Sequence, residues 1–313
     1  SRISLNQIII GSKALDVTLC PLPTHFGHGL IGNCLTPLLN GKELILFPGN
    51  EIKNIFNLGK LIDNYEVTFL SSVPAMWKIA FKSEKPLNSS IKRVHVGSAP
   101  LSSDLWNEII RWSGTKIVCN MYGITETANW LAGANANVFK PEDGLIGNMW
   151  GGEAMIIDRN DNLCSFGKGE LIIQSPSIMS GYYNLDDQTK DVFMNGWFKT
   201  GDLGEIDENG IIKITGRQKF EINRAGLKVN PEDIDLLLER NPLVLEACAF
   251  GIPDDIAGEL VGVAIIIDDK ENLEKINYKN IKLSKKNKTI FFTQAGTRID
   301  LGGIAKGHAV DNS

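Results

Sequence analysis

From Asp16 to Glu126, apolar runs of strand length alternate with segments whose apolar residues return every three or four positions. That alternation restricts this part of the chain to an α/β fold with a mostly parallel sheet, because each crossover between parallel strands needs a helix-sized connection. Residues 44–47, 67–70, 94–96 and 117–119 are the expected strands. Between the last two, Ser102 or Ser103 can cap a helix, and Leu105, Ile109 and Trp112 recur at helical spacing along it.

The pattern changes at Leu145. Residues 155–158, 170–174 and 211–215 are short alternating runs separated by Asp, Asn and Gly turns. Asp207-Glu208-Asn209-Gly210 is a hairpin signal, since Asn-Gly accepts positive φ. This stretch reads as a small antiparallel β-barrel or sandwich. After Arg217 a third unit begins. Asn230 can cap a helix, Pro231 suits its first position, and Glu232 and Asp233 face its positive end. Ile234, Leu237 and Leu238 form the expected apolar face, and strands are expected over 244–250 and 261–267. The expected division is therefore 1–144, a partial α/β subdomain; 145–217, an antiparallel β subdomain; and 218–313, a mobile α+β C-terminal domain. The Lys-rich run 270–288 reads as a solvated surface.

A net charge of -5 argues against a general nucleic-acid binder, which needs a basic face to displace counterions. Cys20, Cys34, Cys119, Cys164 and Cys248 show no paired spacing and read as buried thiols in a reducing, cytoplasmic setting. No apolar run approaches the ~20 residues of a membrane span.

Three strings carry the chemistry. His95-Val96-Gly97-Ser98-Ala99-Pro100-Leu101 follows a strand and precedes a helix, and its small residues leave room for a flat ring against the backbone. Asn120-Met121-Tyr122-Gly123-Ile124-Thr125-Glu126 falls at a strand end, where open α/β sheets take their ligands. There Tyr122 can stack on a base, Gly123 permits close backbone approach, Thr125 offers a hydroxyl, and Glu126 offers a hard oxygen ligand for Mg²⁺. Gly196-Trp197-Phe198-Lys199-Thr200-Gly201-Asp202-Leu203-Gly204, followed by Ile214 and Gly216-Arg217, supplies a carboxylate with two acceptor oxygens and a guanidinium.

In this order the strings resemble the adenylate-forming superfamily of acyl-CoA synthetases, peptide-synthetase adenylation domains and firefly luciferase. The resemblance implies an AMP-forming acid–thiol ligase using ATP, Mg²⁺ and CoA, in which Gly97, Ser98, Ala99, Pro100, Asn120, Met121, Tyr122, Gly123 and Ile214 border the nucleotide. Thr125 and Glu126 are the implied catalytic pair, with Glu126 on the metal and Thr125 on the phosphoryl oxygens. Asp202 and Arg217 reach the ribose, and Lys219 is the hinge. One of His25 and His28 lies beside the acyl pocket and pantetheine tunnel. Trp130 lines that pocket, where its large ring would favour a small or flat acid, and Gly226 faces CoA.

The acceptor implied is CoA or a carrier-protein pantetheine, with a small-molecule carboxylic acid as substrate. A ligase loading an amino or acyl group on a carrier protein and an inactive AMP-binding fragment are the alternatives. The family's phosphate loop is expected upstream of Ser1, on an N-terminal part of the same fold. At the other end, Thr297–Ile304 aligns with the family's lysine-bearing string and puts Gly303 where the lysine would stand, with Lys306 three residues later.

Overall fold

In the computed structural model, the described residues are 1–47, 52–218, 221–224, 227–241, 244–254, 258–267, 281–284 and 289–292. The chain divides into two compact units, Ser1–Lys219 and Phe220–Ser313. None of its described helices is long and apolar enough to cross a membrane.

The first unit is built on a 13-stranded sheet. Its parallel part contains β1 (Val17–Cys20), β2 (Glu43–Leu46), β3 (Phe69–Ser72), β4 (Arg93–Gly97) and β5 (Val118–Gly123), laid side by side in the order β2-β1-β3-β4-β5. The strands β3 and β4 are buried at every position, as strands covered on both faces must be. The antiparallel part continues from β5 through β6 (Trp130–Asn135) and β7 (Leu145–Met149). It then takes in β8 (Glu153–Ile157), β9 (Leu163–Cys164), β10 (Gly167–Gln174), β11 (Phe193–Met194), β12 (Trp197–Ile206) and β13 (Ile212–Arg217). The fold class is thus the α/β sheet with an antiparallel extension that the sequence pattern implies.

Between β4 and β5 runs the helix Ser103–Ser113, and the cap falls on Ser102, whose hydroxyl accepts from the Leu105 amide at 3.3 Å. Its buried face is Trp106, Ile109 and Trp112, while Leu105 is only half-buried. Trp106 is fully buried and donates its indole N–H to the Val118 carbonyl at 3.0 Å, so it fastens the helix to the strand it precedes. The turn joining β12 to β13 is closed by the Asp207 carboxylate, which accepts from the amides of Asn209 at 2.9 Å and Ile211 at 2.8 Å. Gly210 alone in that turn has positive φ, at 76°. An N-terminal helix, Arg2–Ile10, has no counterpart in the expected elements. It is held by buried Arg2, whose guanidinium donates to the Trp150 carbonyl at 2.6 Å and to the Ser175 and Ser177 hydroxyls.

The second unit carries the helix Pro231–Glu239, capped by the Asn230 side chain on the Glu232 amide at 3.3 Å. A four-stranded antiparallel sheet in the order β15-β14-β17-β16 accompanies it, formed by β14 (Ile222–Arg224), β15 (Leu227–Val229), β16 (Val244–Asp254) and β17 (Gly258–Ile267). Ile234 and Leu238 are half-buried, but Leu237 is exposed and does not belong to the apolar face. The residues 281–284 and 289–292 pair as a separate two-stranded sheet.

Trp106 gives the first expected outcome. Trp106→Ala removes a fully buried ring and should cost about 3–5 kcal/mol of unfolding free energy in a denaturant titration, while Leu105→Ala should cost under ~1.5 kcal/mol. Equal losses from the two would overturn this assignment of the helix face.

Candidate active site

At the C-terminal end of β5 the chain turns sharply. Gly123 packs so closely on the next segment that an added Cβ would fall 2.4 Å from the Asn129 carbonyl oxygen. The tightness places Tyr122, at the strand's end, against β12 and β13. Its hydroxyl donates to Asp202 Oδ2 at 2.5 Å. Arg217 Nε meets Asp202 Oδ1 at 2.7 Å, so both oxygens of one carboxylate are engaged. Asp202 is itself 1% exposed. Burial pushes its carboxyl pKa up, against the downward pull of Arg217 and of the Tyr122 hydroxyl. Burial, and then the charge of Asp202, raise the Tyr122 phenol well above its ordinary value. The register places this cluster: Asp202 lies directly opposite Arg217 in the β12–β13 ladder.

Beyond Gly123, Thr125–Thr127 forms one 3₁₀ turn, pinned by buried Thr127, whose hydroxyl donates to the Ile124 and Asn129 carbonyls. Thr125 is left exposed and Glu126 half-buried. Tyr182 donates its hydroxyl to Glu126 Oε1 at 2.8 Å, which orients the carboxylate, and no hydrogen bond to its second oxygen is formed among the described residues. A single oriented carboxylate suits Mg²⁺, which keeps several waters and is usually held by one or two carboxylates together with substrate phosphates. Glu126 fits that role. No cluster of three or more His, Cys, Asp or Glu side chains that could hold a metal by itself occurs among the described residues.

The two histidines of the 23–30 segment part company. His25 is exposed. His28 is 6% exposed and opens a π-helix, His28–Leu35, a form that recurs at functional sites. Its Nδ1 lies 2.7 Å from Ser98 Oγ and its Nε2 2.7 Å from Ser71 Oγ. The imidazole therefore links the loop after β4 to the end of β3. Burial draws its pKa down to about 4. Trp130 packs edge-on against it at 5.5 Å, and also against His95 at 4.6 Å. Trp130 is thus a core ring with one side turned to His28. Behind it Arg93 Nε donates to His95 Nε2 at 2.8 Å, and burial above all keeps His95 neutral.

The remaining implied residues sort as follows. Gly97 is buried at the end of β4, while Ser98, Ala99 and Pro100 are exposed beyond it. Asn120 and Met121 are buried, and Asn120 donates to the Leu145 carbonyl at 2.8 Å. Ile214 is half-buried against the antiparallel core. Lys219, Gly226, Gly303 and Lys306 lie outside the described residues. Sequence reasoning missed Tyr182, Ser71 and Arg93, because nothing in their local strings marks residues that act across the sheet. The one available signal was a tyrosine preceded by Ser180-Gly181 in a polar turn.

Known proteins resemble this chain over most of its length. Residues 3–183 match the family of AMP-binding enzymes. A probable CoA ligase, CCL9, of Humulus lupulus is 30% identical over 307 residues, covering 93% of this chain and 57% of the relative. An oxalate–CoA ligase of Saccharomyces cerevisiae is 29% identical over 271 residues, covering 85% and 49%. The chain therefore spans about half the length of the curated relatives it matches. Among solved structures, the o-succinylbenzoate CoA synthetase of Bacillus subtilis in complex with its acyl-adenylate intermediate superposes with a TM-score of 0.75 at 24% identity, covering 86% of this chain and 54% of that one. ATP-bound MatB of Rhodopseudomonas palustris gives 0.72 at 28% identity, covering 85% and 53%.

Residues 267–313 match a different family, the ApbE family. The segment Thr297–Ile304 falls inside this second match. Over the part that holds Tyr122, Glu126 and the loop after β4, the chain belongs to the AMP-binding enzyme family, the adenylate-forming superfamily.

Proposed function

We propose that the chain carries part of an AMP-forming acyl-CoA synthetase, and that the Ser1–Lys219 unit supplies its nucleotide pocket. The observation that carries this reading is the buried Asp202 carboxylate, flanked by Tyr122 and Arg217 and adjoining the strand end that leads to Glu126. The names of the relatives support it, since several are CoA ligases. The complete reaction converts a carboxylic acid, ATP and CoA to acyl-CoA, AMP and pyrophosphate, in a cytoplasmic setting.

In this reading a carboxylate oxygen attacks the α-phosphorus of ATP and pyrophosphate leaves. The CoA thiolate then attacks the acyl carbon and AMP leaves. This chain's residues bind and orient. Asp202 accepts from the ribose hydroxyls, one of which takes the place of the Tyr122 hydroxyl, and Arg217 steadies the same carboxylate. The released Tyr122 ring, with Gly97, Ala99 and Met121, forms the adenine slot. Thr125 faces the phosphoryl oxygens. The second oxygen of Glu126 is where Mg²⁺ accompanying ATP would be held, neutralising phosphate charge. Lys219 is the proposed pivot, Gly226 the proposed CoA-facing glycine, and His28 rather than His25 the histidine beside the acyl group. A carrier-protein pantetheine remains the alternative acceptor.

Two outcomes follow. Calorimetric titration with AMP should show Asp202→Asn binding more weakly by ~1.5–3 kcal/mol, the range for a hydrogen bond to a charged group. Unchanged affinity would remove Asp202 from the ribose site. Glu126→Gln should bind ATP with an affinity indifferent to Mg²⁺, whereas the parent chain gains affinity when Mg²⁺ is added. A magnesium effect of equal size in both would assign the metal to other residues.

A further inference from the structure

The loop after β4 contains a second chemistry. Ser98 follows a central parallel strand and precedes the helix Ser103–Ser113, between Gly97 and Ala99. Its backbone is left-handed, with φ 65°, a conformation strained for a residue other than glycine. Its side chain is exposed, yet the hydroxyl lies 2.7 Å from one ring nitrogen of His28. The other ring nitrogen is held at 2.7 Å by the Ser71 hydroxyl. A strained, exposed serine on a strand-to-helix turn, paired with an imidazole that a third group orients, is the geometry of an activated nucleophile.

We propose that Ser98 is a nucleophile with His28 as its general base and Ser71 as the orienting group, and that this trio hydrolyses activated acyl groups at the nucleotide site. In the productive tautomer His28 donates N–H to Ser71 and presents its bare nitrogen to Ser98. The Ser98 oxygen attacks the carbonyl carbon of a mixed acyl–phosphate anhydride, and its proton passes to His28. The carbonyl-carbon-to-oxygen bond on the phosphate side breaks, and AMP departs with the electron pair. The imidazolium first releases its extra proton to solvent, where it balances the charge of the departed AMP; neutral His28 then takes a proton from the water that attacks the serine ester and passes it to the leaving Ser98 oxygen. The net change is acyl adenylate plus water to carboxylic acid plus AMP, with no oxidant or reductant. The Ala99 amide, next along the chain, is the natural donor to the oxyanion.

The substrate class follows from the base. Burial keeps His28 neutral, with its pKa drawn down to about 4, so it enters uncharged but with little affinity for a proton. Such a base is too weak to break an amide or an ordinary ester at a useful rate, so the acyl group must bring a good leaving group. An acyl adenylate does so. The activity amounts to a slow discharge of adenylates that are not passed on to a thiol. Its natural substrate rests on the synthetase reading above, but the nucleophile itself does not.

The test uses probes that need neither ATP nor CoA. The chain is treated with a fluorophosphonate and mapped by peptide mass spectrometry, and p-nitrophenyl acetate hydrolysis is followed in parallel. The expected adduct is on Ser98, and Ser98→Gly should lose it and lower ester turnover at least about tenfold. Glycine suits the left-handed backbone, so this variant keeps the loop. Ser98→Cys should keep a covalent acetyl intermediate on the same residue. An unmodified Ser98 in the folded parent chain, or equal ester turnover in Ser98→Gly, would overturn the proposal. AMP titration of the same samples separates the two readings: labelling without AMP binding upholds the nucleophile and counts against the synthetase, and AMP binding without labelling does the reverse.

Discussion

The first unit depends on one buried carboxylate. Asp202 sits on β12 with almost no exposure, and such a charge is tolerated only when paired and hydrogen-bonded. Tyr122 from the end of the last parallel strand and Arg217 from β13 provide those partners. The contact therefore joins the parallel and antiparallel parts of the sheet at the point where the strand direction changes. In the proposed reading, a ligand that takes the place of the Tyr122 hydroxyl on Asp202 frees that side chain at the end of β5.

A second polar system lies across the parallel strands. Ser71 at the end of β3, His28 at the head of the π-helix and Ser98 after β4 are linked through both nitrogens of one imidazole. Trp130 backs it, and Gly32 permits that contact: a Cβ there would lie 2.5 Å from the Asn129 side-chain nitrogen Nδ2 and 2.8 Å from the Trp130 ring. The acyl side and the nucleotide side of the proposed pocket are thus held by a common hydrogen-bonded chain. A side chain at residue 98 larger than glycine costs backbone strain, and the bond to His28 offsets part of it.

Much of this was legible in the sequence where local physics decides the outcome. The strands β2 to β5 follow from their apolar runs, the Ser102 cap from its hydroxyl ahead of a helical period, and the β12–β13 turn from Asp207 and Gly210. The motif strings identified the family and named Tyr122, Glu126, Asp202 and Arg217. What local reading could not supply was the partner of each. The Tyr122 bond to Asp202 spans 80 residues, and the Tyr182 bond to Glu126 spans 56. Helical periodicity favoured Leu105 over Trp106 because Leu105, Ile109 and Trp112 share a spacing, whereas packing against β5 selects the residue whose indole reaches the Val118 carbonyl. Leu237 fits an apolar stripe by period yet stays exposed, and period alone cannot tell how wide the covered face is. Thr297–Ile304 falls inside a match to the ApbE family as well, since a short string with Gly and Thr satisfies more than one family's pattern.

The central claim is that Asp202 exchanges its Tyr122 hydroxyl for a ribose. A crystal structure of the chain with AMP tests it directly. The account requires the ribose hydroxyls on Asp202, the Tyr122 hydroxyl displaced from the 2.5 Å contact, and the adenine between the Tyr122 ring and the backbone of Gly97 to Ala99. AMP bound with the Tyr122–Asp202 bond intact, or bound elsewhere on the chain, would contradict it.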